Sequence, residues 1–280
     1  YVVLSADRVD SAARLTKLSG HHGQIGQGHN ALSSGMVLRH AKAWETKLSP
    51  NIGVMATDCF PKMLTREIRG LFIFGEDPVR TDPNTAHVIE ALKTLDFLVV
   101  DDLFITETAK YADVILPGRS YTEKEGTFTN TERRVQRIRK AVEIEGETRD
   151  DTWIFTEIMN RMGYPQPHLT AAEIMDEIAS VTPSFGGISH ERLDSEEVHG
   201  NGLQWPCPSK DHPGTPIMHV GKFARGLGIF KPAEYEPAME MPDEEYPITL
   251  MTGRILYHYN AFLNENVHHA VGKCHVCSRS

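Results

Sequence analysis

Residues able to do chemistry cluster at a few places in this chain. Asp77 stands in Gly75-Glu76-Asp77-Pro78, after one apolar run, and Asp101-Asp102 closes a second. A third apolar run stops at Pro117-Gly118. Arg133, Arg134, Arg137, Arg139 and Lys140 crowd into the segment EKEGTFTNTERRVQRIRKA, residues 123–141. Carboxylates at chain turns either cap and close them or supply hydrogen-bond acceptors to a ligand. Clustered guanidinium groups make a solvated face, a nucleic-acid patch, or the wall of a site for something anionic. Near the end of the chain, His268, His269, Cys274, His275 and Cys277 have the ligand types of a zinc site. A single C-x-x-C lacks a second ligand pair at standard spacing, so no metal or an adventitious one is expected there. Gly20, Gly23, Gly26 and Gly28 mark a loop. Their spacing is not G-x-G-x-x-G and no strand precedes them, so a dinucleotide fingerprint is not expected.

Composition narrows the choice. The 280 residues suffice for a large core and two domains. With 40% hydrophobic and 24% charged residues the chain reads as an ordinary soluble globular protein. A net charge of −9 argues against general binding to nucleic acid or a membrane surface, so an anion site must be local. No apolar run approaches the roughly 20 residues that a membrane helix requires. Four cysteines do not make a disulfide framework, and a reducing cytoplasm is expected. The opening YVVLSADRVD has neither an initiator Met nor a basic leader and reads as a piece of something longer.

The elements that must position these residues can be read from periodicity. LFIF (71–74), FLVV (97–100) and VIL (114–116) are short apolar runs bounded by turn residues, the pattern of buried strands. Between the first two, Asp82-Pro83 reads as an N-cap with proline at the first helical position. Val88, Ile89, Leu92 and Leu95 then follow at helical spacing. Thr106 to Ala112 can form a short helix. Strand, helix, strand, helix, strand predicts an α/β fold with a parallel sheet, whose ligands bind beyond the carboxyl ends of the strands. Those ends carry Asp77, Asp101, Asp102 and Gly118, so a crevice with polar walls and ordinary strand-end turns are both open readings. Further on, Asp151 is expected to cap a helix running to Met162. Thr170 and Glu173 have the spacing of a capping box for a helix ending before Pro183. Residues 184–245 are expected to be mostly loops, and YPITLMTGR (246–254) reads as a new strand.

The stretch from Gly70 to Arg137 resembles the catalytic (alpha) subunit of molybdopterin-dependent formate dehydrogenases. These belong to the oxidoreductases that carry two molybdopterin guanine dinucleotides. GLQWPCP, HPGTPIMH and DEEYPITLMTGRILYHY extend the likeness in the same order, over residues 70–260. The resemblance implies a partial glycine-rich segment over 1–69 and an α/β dinucleotide-binding domain over 70–165. A helix and loop extension over 166–245 and the start of a C-terminal β-barrel domain over 246–280 would follow. It implies cofactor contacts at Asp77, Asp101, Asp102, Lys124 and Asp151. The final stretch would add Thr252, Gly253, Arg254, Ile255, Leu256, Tyr257, His258 and Tyr259, with Arg254 as a phosphate partner. The implied cofactor is bis-molybdopterin guanine dinucleotide with molybdenum or tungsten. The implied partners are formate and electron-transfer subunits. Guanine offers N1–H and a 2-amino group side by side, which one carboxylate can accept together. Pyrophosphate calls for backbone N–H groups, Lys or Arg.

In the resembled family a 4Fe-4S cluster on four cysteines, and a cysteine or selenocysteine that ligates the metal, lie upstream. None of the four cysteines here stands in such a motif. A cofactor-cradling portion without catalytic residues of its own is therefore expected, as a fragment of a formate dehydrogenase. A non-catalytic docking module of the same descent and a nitrate-acting relative are the alternatives. In the basic run, Lys124 and GTFTNTERR fall where the family shapes its site. Arg137, Arg139 and Lys140 are expected to be solvated or to face another subunit. Their alternation with Gln136 and Ile138 suits a strand as well as a helix.

Overall fold

Strands that are apolar on both faces need cover on both faces. The folded chain supplies it for most of LFIF and FLVV, but VIL, expected to be buried, is an edge strand with Val114 and Ile115 exposed. The computed structural model describes residues 2–3, 34–47, 54, 56–143, 146–198, 200–223, 226–238 and 241–249. By contacts the chain falls into two compact units, Tyr1–Pro216 and Ile217–Ser280. In the first, β1 (Val2–Val3), β2 (Gly70–Phe74), β3 (Phe97–Asp102) and β4 (Val114–Pro117) form a parallel sheet in the order β1-β2-β3-β4. Helices α1 (Ser34–Ala43) and α2 (Ala56–Leu64) precede β2. A short α3 (Pro78–Thr81) and α4 (Thr85–Lys93) link β2 to β3. A 3₁₀ turn, Thr108–Tyr111, links β3 to β4 where a short helix was expected.

The period of two along a strand divides the core into two layers. Leu71, Ile73, Leu98 and Val100 pack with Met63 of α2 and with Val88, Ala91 and Leu92 of α4. Phe72 and Phe74 point the other way, onto Phe155 and Met159 of α5 (Asp151–Arg161). The rings of Phe74 and Phe155 meet edge to face, with centroids 5.1 Å apart. Asp101 is in register with Phe74, so it belongs to the layer that α5 covers.

Two helix starts differ from the sequence reading. Asp82 is not the N-cap of α4. Pro78 at the first helical position opens α3 after Asp77, and the Asp82 N–H donates back to the Pro78 carbonyl, closing that turn. Asn84 caps α4 instead, in the left-handed conformation at φ 60° that asparagine tolerates, with its side chain accepting from His87 N–H. Likewise Asp150, not Asp151, caps α5, accepting from Thr152 N–H at 2.9 Å. The capping box at Thr170 and Glu173 forms as expected and starts α6 (Ala171–Val181).

A second sheet, antiparallel, contains β5 (Gly126–Thr129), β6 (Arg134–Ile138) and β7 (Leu203–Gln204). Val135 from β6 and Leu203 from β7 join Ile174, Met175 and Ile178 of α6 and Leu193 of α7 (His190–Leu193) in a separate core. Residues 205–216 have little regular structure, and arginines satisfy their carbonyls. Arg133 donates to Trp205, Thr215 and Pro216, and its guanidinium lies over the Trp205 ring. Arg192 donates to Gly187, Ser209 and His212.

In the second unit the described residues carry no helix or strand. Phe223 and Gly226 form an isolated bridge, and Asp243 Oδ1 accepts from the N–H groups of Glu245 and Tyr246. Ile217, Val220, Leu227, Ile229 and Phe230 are exposed. Of the strand expected over 246–254, only residues 246–249 are described, and they are not in a strand. No helix among the described residues is long and apolar enough to cross a membrane.

Candidate functional site

The carboxyl ends of β3 and β4 lie side by side, with Asp102 in register with Pro117. Gly118 continues from β4, donating its N–H to the Asp102 carbonyl at 3.1 Å. A parallel bridge then joins Gly118 to Arg149, and Arg149 N–H donates to the Pro117 carbonyl at 3.1 Å. That bridge sets the start of α5 against the end of the sheet. Asp150 takes the capping position, so Asp151 is left as the first residue of the helix with its side chain turned inward.

Three ionisable side chains meet there, all buried: Asp101, Asp151 and Lys124. Lys124 Nζ donates to Asp151 Oδ2. The lysine arrives through a 3₁₀ turn at Tyr121–Glu123, which Ser120 caps with a capping box. Gly118 sits between the two carboxylates. A Cβ placed on it would lie 2.9 Å from both Asp101 Oδ1 and Asp151 Oδ1, closer than real Cβ contacts come. Only glycine therefore fits while both carboxylates stay where they are. Burying an ion pair is costly and holds only when the charges stay matched. Here Lys124 supplies the cation that pairs with Asp151.

Other residues singled out from the sequence have local tasks. Asp77 Oδ1 accepts from both N–H and Oγ1 of Thr108, at 3.0 and 2.5 Å, tying the end of β2 to the turn before β4. Its Oδ2 lies 3.7 Å from Arg80 Nε. Asp102 Oδ1 accepts from the next N–H, that of Leu103, at 2.6 Å. Thr252, Gly253, Arg254, Ile255, Leu256, Tyr257, His258 and Tyr259 lie outside the described residues, as does the Cys and His cluster at 268–277. Among the described residues no group of three or more His, Cys, Asp or Glu could hold a metal ion. Cys59 and Cys207 are buried free thiols.

Two residues at this edge were not singled out from the sequence. Arg119 directly follows Gly118, and its Nη2 donates to the Thr148 carbonyl at 3.3 Å. Arg119 Nε and Thr148 Oγ1 are both buried, and neither has a hydrogen-bond partner among the described residues. A cation placed directly after a Pro-Gly strand end could have flagged the arginine. Nothing in the sequence marks the threonine.

In the basic run Arg139 and Lys140 are exposed, in keeping with a solvated face, whereas the Arg137 side chain is largely buried. Arg137 Nε reaches both carboxylate oxygens of Asp194, at 3.2 and 3.3 Å, and Arg139 Nη2 reaches the same carboxylate at 2.5 Å. Lys140 pairs with Glu143 at 2.6 Å, and Arg134 pairs with Glu132 at 2.9 Å. Together with the Arg133 bonds to residues 205–216, these contacts lace the hairpin to the chain that follows it.

The profile of the molybdopterin oxidoreductase family matches residues 5–161. The chain is 42% identical over 284 aligned residues to F420-dependent formate dehydrogenase 2 subunit alpha of Methanococcus maripaludis. That alignment covers 91% of this chain and 41% of the relative. It is 45% identical over 224 residues to F420-dependent formate dehydrogenase subunit alpha of Methanocaldococcus jannaschii, covering 78% of this chain and 32% of that protein. The chain thus spans less than half the length of these relatives. Among solved structures, acetylene hydratase from Pelobacter acetylenicus covers 57% of this chain and 23% of its own. Its identity is 24% and its TM-score 0.42, too loose a likeness to carry an inference.

Proposed function

The chain belongs to the molybdopterin oxidoreductase family, and from that premise we propose that it is the dinucleotide-holding portion of a formate dehydrogenase alpha subunit. The substrate follows from the relatives, whose names specify formate dehydrogenase. The observation that carries the dinucleotide reading is the meeting of Asp101, Asp151 and Lys124 around Gly118 at the sheet's carboxyl edge.

That donor and acceptor set fits a molybdopterin guanine dinucleotide. The two carboxylates provide acceptors for the N1–H and 2-amino edge of the base. Lys124 holds Asp151 in place by a buried ion pair. The buried Nε–H of Arg119 fits an anion's oxygen. Asp77, Asp102 and the stretch Thr252 to Tyr259 complete the proposed contacts, with residues 70–165 as the binding domain. When bound, the cofactor's molybdenum or tungsten centre supplies the two-electron oxidation of formate to carbon dioxide, and a 4Fe-4S cluster of the full-length enzyme carries the electrons away. This chain's own contribution is to bind and orient the nucleotide ends. The electron-transfer partner to try first is one that uses F420, the dependence in the relatives' names.

The test is cofactor content. Protein produced in cells that make the cofactor is oxidised and extracted, and the fluorescent pterin and released GMP are separated by chromatography. Both are expected, in equal amounts, and Asp151→Asn is expected to lower them at least threefold. Pterin recovered without GMP, or neither one recovered, would reject the dinucleotide reading.

A further inference from the structure

A buried donor without an acceptor calls for an explanation, since a folded chain rarely leaves one. Arg119 Nε and Thr148 Oγ1 are two such buried polar atoms on segments that the structure joins. Arg119 follows Gly118, Thr148 precedes Arg149, and Gly118 bridges to Arg149. Both atoms therefore belong to the sheet edge that carries the Asp101, Lys124 and Asp151 cluster. The nearby cations have partners within the chain: Lys124 donates to Asp151, and Arg149 Nη1 donates to the Thr148 carbonyl at 3.0 Å. Arg119 spends one Nη2 bond on that same carbonyl, which fixes the plane of its guanidinium and leaves the Nε–H open. A planar guanidinium held in place by one bond, on a segment joined to one that carries an unpartnered hydroxyl, is a receptor for an oxyanion, and phosphate oxygens match it best.

We propose that Arg119 and Thr148 form an anion subsite that receives a phosphate oxygen of the dinucleotide's pyrophosphate. The subsite rests on the dinucleotide reading above and adds to it the residues that hold the phosphate end. Guanine would lie toward Asp101 and Asp151, and its phosphates toward Arg119. The arginine acts here as a binding group and a fixed positive charge, with no part in bond making.

Titration calorimetry on the full chain, with GDP, guanosine and inorganic pyrophosphate as probes, tests this. Arg119→Gln is expected to weaken GDP binding about tenfold while leaving guanosine affinity unchanged. Thr148→Val is expected to weaken GDP about threefold. Arg119→Lys keeps the charge near the Thr148 carbonyl but lacks the Nε–H, and it should also bind GDP more weakly than the parent. It serves as the decisive variant if the glutamine substitution unfolds the chain, which circular dichroism reports. Equal GDP affinity in the parent and in the folded Arg119 variants overturns the subsite and leaves the dinucleotide reading standing. Pyrophosphate binding that depends on Arg119, with no guanosine binding at all, keeps the subsite and overturns the dinucleotide reading. A parent chain that binds neither GDP nor pyrophosphate overturns the subsite.

Discussion

Lys124 illustrates how much one side chain carries when it is sealed from water. Its side chain is 5% exposed and that of its partner Asp151 is 1% exposed, so neither charge can fall back on solvent. Lys124→Met would remove a buried cation that pairs with Asp151. The expected cost is about 3–5 kcal/mol, the range for breaking a buried pair from one side. Urea unfolding of the parent and variant measures it, and a loss under 1 kcal/mol would mean that the pair is not buried as described. The exposed pairs of the basic run are different. Arg139 is 51% exposed and Glu143 91% exposed, where ion pairs contribute about 0–1 kcal/mol at most. They are dense in the sequence, but the lone Lys124 before them holds the more consequential charge.

At the scale of elements, α7 carries a titration that the fold suppresses. His190 opens the helix after its cap, Ser189, and is 8% exposed. Its Nε2 is buried with no hydrogen-bond partner among the described residues. Burial first, and then the Arg137 guanidinium, push its pKa down to about 4, against the weaker opposite pull of Asp194, Asp176 and Glu125. The folded protein therefore keeps the ring neutral while the unfolded chain protonates it near pH 6.5. Between those values the unfolded state binds the extra proton, so stability is full above pH 6.5 and is lost as pH falls toward 4. Solvent screening keeps the effect to about 1–2 kcal/mol. Urea midpoints at pH 4.5, 5.5 and 7 should fall with pH in the parent, and His190→Leu should flatten that part of the curve. An unchanged slope in the variant would assign it to other groups. Helix α5 shows a different element-scale effect. Two adjacent aspartates could each have capped it, and the choice of Asp150 sends Asp151 into the core.

Across the whole molecule, the two units differ in how their apolar residues are used. The first buries them in three clusters around the parallel sheet, α5 and α6. The described part of the second has no helix or strand and leaves Phe230, Leu227 and Ile229 exposed. Chain without ladders or a buried face opens to a protease first. Brief trypsin treatment is expected to cut after Lys222, in an exposed position, well before Lys93 at the end of α4 or Arg161 at the end of α5. Mass spectrometry of the early fragments reads this directly, and first cuts within residues 70–200 would contradict the stability order.

Some of this was fixed locally, and the sequence alone determined it. Apolar runs of strand length at 71–74, 97–100 and 114–116, with helical spacing between the first two, were enough for a parallel sheet, because a run of apolar residues at strand length leaves that pattern in the sequence itself. That the last run is an exposed edge strand was not legible there. The Thr170 and Glu173 cap was equally legible, being a contact across three residues. The likeness from Gly70 onward named the family from motifs in order. Chain distance hid the rest. Whether Asp82 or Asn84, and Asp150 or Asp151, takes a cap depends on what the neighbouring carboxylate meets elsewhere in the fold, and residue type cannot separate two aspartates side by side. Asp101, Gly118, Lys124 and Asp151 are spread over 51 positions of sequence and become one site only through the β3–β4 register and the Gly118–Arg149 bridge. The arginines of the basic run chose their partners the same way, from Asp194 and the carbonyls of residues 205–216, because a long side chain takes whichever acceptor packing brings within reach.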